Sequence, residues 1–158
     1  MIRVATASDV PALHALIGGL ARYERLEHEF VGTEEHLRAH LFGARPYAEA
    51  LVSAQGSVIF AFALFFHTYS TFLCRPGLYL EDLFVTPQYR RKGHGRALIR
   101  EVARIAVDRG CGRFEWSVLD WNEPALAFYR SLGATIMSEW RICRMTGQAL
   151  AELGRRDR

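Results

Sequence analysis

Hydrophobic and polar positions along the first third of the chain follow a strand pattern and then two helix patterns. Residues 2–6 alternate as a short strand would. Asp9 just before Pro11 is a helix-start signal, because a capping side chain followed by a first-turn proline favours helix initiation. Apolar residues then recur at helical spacing to about Tyr23, and Thr33 can start a second helix. This part of the chain is therefore predicted as β-α-α.

The middle of the chain predicts β-structure. Residues 50–54 and 58–66 read as a hairpin joined by a polar turn, and the second strand is apolar enough to be buried. Pro76-Gly77 is predicted to break the chain before a third strand over 78–85. Thr86-Pro87 ends that strand, because proline cannot continue a central ladder. Three consecutive strands are therefore expected here.

A strongly amphipathic helix follows, over about 93–109. Leu98, Val102 and Ile105 lie on its apolar face, and Gly110 is a natural C-cap. The elements predicted after it are a strand over 113–119, a helix over 123–132 and two closing strands over 135–137 and 140–145.

The chain length and composition fit one ordinary globular domain. At 158 residues the chain can bury a core, and half of its residues are hydrophobic. We expect an α/β domain over 1–153 with a mixed, mostly antiparallel sheet and about four helices, followed by a basic tail at 154–158. The longest apolar run, 58–66, is too short for a membrane span. Met1 leads directly into a strand pattern rather than a signal peptide, which predicts a cytoplasmic protein.

Metal and disulfide chemistry find little support in the residue pattern. Cys74, Cys111 and Cys143 are odd in number and widely spaced, which argues against a disulfide framework and a structural zinc site. His36 and His40 are four apart and can face the same way on a helix, as metal ligands sometimes do. No third ligand accompanies them, so no metal site is predicted.

The positive charge is modest and local. The net charge is +3, and basic residues cluster around two glycines within 90–96. A nucleic-acid-binding protein usually shows a broader basic face interleaved with aromatic residues. The pattern therefore argues against nucleic acid and favours a small molecule that carries phosphate. The clustered cations are Arg90, Arg91, Lys92 and Arg96.

The same segment forms a glycine-rich turn between a predicted strand and a predicted helix. The first amides of a helix lack partners and carry the positive end of its dipole, so they bind phosphate. Gly93 and Gly95 let the backbone approach a pyrophosphate. A Walker loop requires Lys-Ser or Lys-Thr after the glycines, and a Rossmann fingerprint requires a third glycine and suits an earlier position in the chain. Neither nucleotide-binding motif fits.

Two motifs resemble the GNAT superfamily of N-acetyltransferases. Residues 90–95 match its R-x-x-G-x-G signature, and residues 121–134 match a second motif with an Asn before a helix and a Tyr late in it. The resemblance implies a GNAT-like fold and acetyl-CoA as cosubstrate. It places Asn122 on the pantetheine arm and Tyr129 near the sulfur, as the acid that protonates the departing thiolate. The cofactor contacts implied are Leu83, Phe84, Val85, Arg90, Arg91, Lys92, Gly93, His94, Gly95, Arg96, Asn122 and Tyr129.

The match is closer to the diamine acetyltransferase family, which includes spermidine/spermine N1-acetyltransferase and its thialysine-acetylating relatives. Segments 79–85 and 121–124 carry this resemblance, which also implies a homodimer. Polyamine-specific members have an acid and a tryptophan in the loop before the strand at 78–85. The loop here, 67–75, has no acid and adds Arg75, so a polycation loses a partner there. The substrate contacts implied are Tyr23, Glu24, Glu81, Asp82, Glu139 and Trp140.

The resemblance also implies a direct transfer in which Glu81 is the base. A carboxylate near the acceptor can take the ammonium proton, directly or through a water. Glu81 and Asp82 point to opposite faces of a regular strand, so both line one wall only if a bulge intervenes. The superfamily has a bulge in this strand, which frees N–H groups near Leu83–Val85 to hold the thioester oxygen.

We therefore expect an acetyl-CoA-dependent N-acetyltransferase acting on a small polyamine, diamine or lysine-like amine, with no metal, nucleic-acid or membrane partner. Two alternatives stay open. The acceptor can be an amino acid or a protein N-terminus or lysine, or the chain can be a non-catalytic coenzyme A-binding module. The acids Glu24, Asp82 and Glu139 favour a small cation, and the presence of Asn122 and Tyr129 disfavours the binding module.

Overall fold

A computed structural model describes residues 1–155, and residues 156–158, which end the predicted basic tail, lie outside the described part. The described residues confirm the α/β class, and the one helix that the sequence pattern did not predict is the last. The elements are β1 (Ile2–Val4), α1 (Val10–Glu24), α2 (Glu34–Phe42), β2 (Glu49–Gln55), β3 (Val58–Ser70), β4 (Arg75–Val85), α3 (His94–Asp108), β5 (Arg113–Trp116), α4 (Glu123–Arg130) and α5 (Gly147–Leu153).

The chain divides into two compact units, Met1–Ser117 and a second that begins at Val118. The first unit holds the whole described sheet, in the order β1-β2-β3-β4-β5. Its strand pairs are antiparallel except for β4 and β5, which run parallel. The predicted mixed, mostly antiparallel sheet is confirmed. The single domain over 1–153 stays a prediction.

Two layers of helix bury the sheet of the first unit. Leu16 and Leu20 of α1 join Phe62 and Phe84 of the sheet in one buried cluster. Helix α3 packs against β2, β3 and β4, and its predicted apolar face is confirmed by Leu98, which is fully buried. Side chains alternate along a strand, so successive side chains of β3 face the two helix layers alternately.

The predicted chain break at Pro76-Gly77 is wrong, because both residues lie inside β4 and pair with β3. Pro76 is the second residue of the strand, where a missing N–H donor is tolerated. Gly77 is needed for close approach, since a Cβ there would lie 2.7 Å from Thr68 Oγ1. Most of the predicted loop at 67–75 is therefore strand, and only 71–74 form the turn.

The two closing strands predicted over 135–137 and 140–145 are not formed in the second unit. Trp140 and Ile142 are 73% and 72% exposed. A two-stranded hairpin is marginal in water without a surface to pack on, so an apolar pattern alone does not make a strand. Strand β5 also ends early, at Trp116.

Candidate active site

The glycine-rich turn has the backbone geometry of an anion-binding helix start. Gly93 adopts φ of 82°, in the left-handed region, and α3 begins at the next residue. The first helical hydrogen bond runs from the Ala97 N–H to the Gly93 carbonyl, at 2.9 Å. The amides of His94 and Gly95 therefore precede the helical ladder, where they suit a phosphate.

Arg90 braces this turn. Its Nε donates to the carbonyl of Val85 at 2.8 Å. Its guanidinium carbon lies 4.6 Å from the centre of the Tyr23 ring and 5.5 Å from that of Phe84. These contacts tie the start of the turn to the end of β4 and to α1, and such stacking of a cation on a ring is stabilising. Sequence reasoning missed this role, because no local pattern links Arg90 to the aromatic residues.

The side chains on the other side of the turn pack against one another. Tyr89 stacks on Phe60 with ring centres 4.1 Å apart, and the His94 ring meets Phe60 edge-on at 4.7 Å. The His94 ring is therefore a packing group, which leaves the backbone N–H of His94 as its group suited to an anion. Arg91 and Lys92 are exposed at the rim of the turn, where they can add positive charge.

Gly93→Ala is expected to lower acetyl-CoA affinity about tenfold and to cost about 1 kcal/mol of stability, because alanine is strained at positive φ. Gly110→Ala is the matched control, since Gly110 at the far end of α3 has φ of 67° and equally open surroundings. Both variants are expected to lose stability, and only the first to lose affinity in calorimetric titration. If Gly93→Ala and Gly110→Ala bound acetyl-CoA with equal affinity, the turn at Gly93 would not be the phosphate-binding site.

The edge of β4 that faces β5 is open over its last residues. Strand β5 pairs with β4 only from Gly77 to Leu80. The Thr86 N–H donates to Phe60 of β3 at 3.0 Å, so by strand alternation the N–H groups of Leu83 and Val85 point the other way. Two backbone donors thus face the gap that β5 leaves, where they suit a carbonyl oxygen.

The bulge implied by the family resemblance is present, at Glu81. Leu80 pairs with Phe65 and Asp82 with the preceding residue of β3, so Glu81 is the extra residue. The resemblance assigned the freed N–H groups of Leu83–Val85 to the bulge. In the structure, Leu83–Val85 keep their pairing with β3. Their outward N–H groups are unpaired because the pairing of β4 with β5 ends at Leu80.

Three carboxyl groups gather near the bulge. Glu81 is exposed, while Asp82 and Glu24 are half-buried. Burial, which is the largest cause, and the charges of Glu81 and Glu24 together raise the pKa of Asp82 to about 7. Burial also raises the pKa of Glu24. No hydrogen bond or ion pair involves these three side chains anywhere in residues 1–155. A cation at this site would be stabilised by uncompensated negative charge.

The second unit holds the other predicted site residues. Asn122 is buried and caps α4, its Oδ1 accepting from the Ala125 N–H at 3.3 Å. Tyr129 is buried on the same helix, with its ring 5.3 Å from that of Phe128. Glu139 and Trp140 are exposed in the segment after the helix. The first unit therefore holds Glu24, Glu81, Asp82 and the glycine-rich turn, and the second holds Asn122, Tyr129 and Glu139.

Comparison with known proteins decides the family. The Acetyltransferase (GNAT) family model matches residues 19–134, which is well over half of the chain. The chain belongs to the GNAT acetyltransferase family. It is an N-acetyltransferase, and this family uses acetyl-CoA as cosubstrate. The predicted family and enzyme class are confirmed.

Three relatives of this acetyltransferase align with it over nearly its whole length. It is 39% identical to the thialysine N-epsilon-acetyltransferase of Mus musculus, covering 98% of this chain and 97% of that protein. It is 37% identical to an L-ornithine N5-acetyltransferase of Arabidopsis thaliana, covering 94% and 85%. It is 28% identical to the human spermidine/spermine N(1)-acetyltransferase-like protein 1, of which it matches only 23%.

Solved structures support the same fold. An integron cassette protein from the mobile metagenome of V. cholerae aligns with a TM-score of 0.82 at 24% identity, covering 99% of this chain and 98% of that one. An aminoglycoside acetyltransferase from a soil metagenome aligns with a TM-score of 0.78 at 20% identity, covering 94% and 96%. At these identities the likeness shows the fold alone.

Residues 1–155 carry neither a membrane-spanning helix nor a metal-binding cluster. None of the helices there combines the length and apolar character that crossing a bilayer requires. The rings of His36 and His40 stack 6.4 Å apart. No group of three or more His, Cys, Asp or Glu suited to a metal ion occurs in this part of the chain.

Proposed function

We propose that this acetyltransferase moves the acetyl group of acetyl-CoA onto a primary amine of a small diamine, polyamine or lysine-like compound. The observation that carries the proposal is the uncompensated group of Glu24, Glu81 and Asp82 beside the open edge of β4. An ammonium group would be attracted there, next to backbone donors suited to a thioester oxygen.

Acetyl-CoA supplies the thioester, and the chain holds it. We assign its pyrophosphate to the amides of the turn at 93–95, with Arg91, Lys92 and Arg96 adding charge at the rim. The N–H groups of Leu83 and Val85 would hold the thioester oxygen, with Phe84 between them fixing the strand from the core. Asn122 is assigned to the pantetheine arm by family resemblance.

The transfer is proposed as a direct one. The acceptor ammonium first gives a proton to the Glu81–Asp82 pair, in which Asp82 has a pKa suited to a base at neutral pH. The amine nitrogen then attacks the thioester carbon, so a C–N bond forms as the C–S bond breaks. Tyr129 gives its proton to the departing thiolate, and the attacking nitrogen releases its second proton to solvent as the amide forms, so that Tyr129 is reprotonated from water. Glu24, Tyr23, Glu139 and Trp140 stay proposed as acceptor contacts.

A lysine-like acceptor is favoured over a polyamine. Relatives named for thialysine and ornithine match at 37–39% identity. The turn at 71–74 carries no acid, and Arg75 follows it. A long polycation would meet a positive charge there instead of a partner.

A panel of acceptors tests the proposal. Acetyl-CoA consumption would be measured with ornithine, lysine, thialysine, putrescine, cadaverine, spermidine, spermine and a lysine-containing peptide, together with acetyl-CoA binding. We expect turnover with small amines and little with the peptide. Preference for the peptide would favour a protein acetyltransferase. Binding of acetyl-CoA without turnover of any acceptor would favour the non-catalytic class.

We further propose that two copies associate. The second unit exposes apolar side chains that a monomer would leave in water, including Trp140 and Ile142. Sedimentation equilibrium is expected to show a dimer, and Trp140→Lys with Ile142→Lys is expected to weaken it. A wild-type monomer at micromolar concentration would contradict this. The cytoplasmic location predicted from the sequence stays a prediction that cell fractionation would test.

A further inference from the structure

The bulge at Glu81 changes which side chains share a face of the sheet. Tyr79 and Asp82 are three residues apart, and in a regular strand they would point to opposite faces. In the structure they pair with Phe66 and Leu64, which are two residues apart on β3 and share a face. Tyr79 therefore lies on the same face of the sheet as Asp82, nearer to the β3–β4 turn.

Strand β5 extends this surface sideways. Glu115 pairs with Tyr79 across the parallel ladder. Ser117 and Arg113 lie two residues on either side of Glu115, on the same face. The Tyr79 hydroxyl and the Ser117 hydroxyl are 2.6 Å apart, and the Phe66 ring centre lies 5.3 Å from that of Tyr79. The result is a polar surface at the mouth of the gap between β4 and β5.

This surface carries an ion pair between Arg113 and Glu115, which has no net charge. Arg113 Nε lies 2.8 Å from Glu115 Oε2, and the two side chains are 41% and 45% exposed. The Arg113 stem packs over Gly77, where a Cβ would come within 3.1 Å of its Cγ. The pair uses one donor of the guanidinium and one oxygen of the carboxylate. Two guanidinium nitrogens and the second carboxylate oxygen stay available for a ligand.

The charges match one chemical group. A guanidinium fork binds a carboxylate through two parallel hydrogen bonds, and a carboxylate binds an ammonium group. An α-amino acid head group carries both, next to each other and with no net charge. Glu115 lies about 7 Å along the strand and about 4.8 Å across from Asp82, and Arg113 lies about 7 Å further along, with its side chain reaching back to Glu115. This spacing suits an extended amino acid with its side-chain amine at the δ or ε carbon.

We propose that Arg113 and Glu115 bind the α-carboxylate and α-ammonium groups of the acceptor, while its side-chain amine lies at Glu81 and Asp82. This inference rests on the proposed function, and it makes the pair the determinant that separates diamino acids from simple diamines. Tyr79, held by Ser117, forms the floor between the two ends of the acceptor.

Two matched acceptor pairs test the inference: lysine with cadaverine, and ornithine with putrescine. The members of each pair differ only by the carboxylate. The wild-type enzyme is expected to have the lower KM for the amino acids. Arg113→Gln is expected to raise the KM for lysine and ornithine about 10- to 100-fold, with kcat little changed and the KM for the diamines not raised. Lysinamide, which lacks the negative charge, is expected to behave alike with both enzymes.

Arg104→Gln is the control, because Arg104 is also an exposed, ion-paired arginine but lies on α3. It should leave every KM unchanged, and thermal melting should show Arg113→Gln folded. Equal losses for lysine and cadaverine in Arg113→Gln, or no loss for either, would overturn the inference. Turnover of diamines without amino acids would also overturn it and leave the proposed function standing. No turnover of any amine would instead refute the proposed function.

Discussion

Tyr129→Phe is expected to lower kcat on the order of 10²- to 10³-fold while leaving acetyl-CoA affinity within about twofold of wild type. The variant keeps the ring that packs beside Phe128 and removes only the hydroxyl that we assign to the coenzyme A thiolate. Steady-state rates at saturating acceptor, with calorimetric binding of acetyl-CoA, would measure the two effects separately.

Tyr69→Phe is a suitable control for that experiment. Tyr69 is 60% exposed near the end of β3, and it has no role in the proposed reaction, so its rates should stay at the wild-type level. If Tyr129→Phe also kept wild-type rates, another group or the solvent would have to protonate the thiolate.

Asp82→Asn is expected to lower kcat/KM on the order of 10²-fold near neutral pH, because the amide cannot take the ammonium proton. In the wild type, kcat/KM should rise with pH through about 7 as the Asp82 carboxyl group ionises. The variant should lack that step, and its kcat/KM should depend on pH only through the ionisation of the acceptor amine itself. A pH profile of kcat/KM would show both curves.

The Glu81→Gln variant distinguishes the role of Glu81 from that of Asp82. The charge of Glu81 helps to raise the pKa of Asp82, so its removal should move the step to lower pH without abolishing it. If Glu81→Gln abolished the step and Asp82→Asn only moved it, Glu81 would be the base, as the family resemblance implies.

The same carboxyl group is expected to make stability depend on pH. Its pKa is about 7 in the folded chain, against an ordinary value of 3.8. Between these pH values the unfolded chain has lost the proton and the folded chain still holds it, so rising pH opposes folding. Asp82→Asn should therefore match wild type near pH 4 and exceed it by about 2 kcal/mol at pH 8, after allowance for solvent screening. Urea denaturation at both pH values would measure the difference.

Local patterns predicted the parts of the site that depend on neighbours in the sequence. The helical period of Leu98 and Val102 predicted α3, and the glycines before it predicted the turn that opens this helix, where Gly93 adopts φ of 82°. Both features arise from interactions within a few residues, namely one apolar helix face and the steric freedom of glycine. For the same reason the family could be recognised from residues 90–95 and 121–134.

Elsewhere the predictions made from local sequence were wrong, because pairing with distant residues decides whether a strand forms. Pro76-Gly77 has the chemistry of a break, yet Gly77 lies between β3 and β5 and pairs with both. Residues 140–145 have the chemistry of a strand, yet they lack a partner to pair with in the described part of their unit. In each case the energy of the strand lies in hydrogen bonds to residues far along the chain, which propensity does not contain.

The sequence by itself determined the α/β class, the glycine-rich turn before α3, the family and thereby acetyl-CoA as the cosubstrate that this family uses. The tertiary structure alone decided how the site is assembled. It placed the bulge at Glu81, ended β5 so that Leu83 and Val85 face a gap, turned Arg90 back onto Tyr23, and aligned Arg113 and Glu115 with the face of Asp82. The physical reason is that a motif is held by contacts between near neighbours, whereas strand register, burial and the pKa of a carboxyl group depend on residues that only folding brings together.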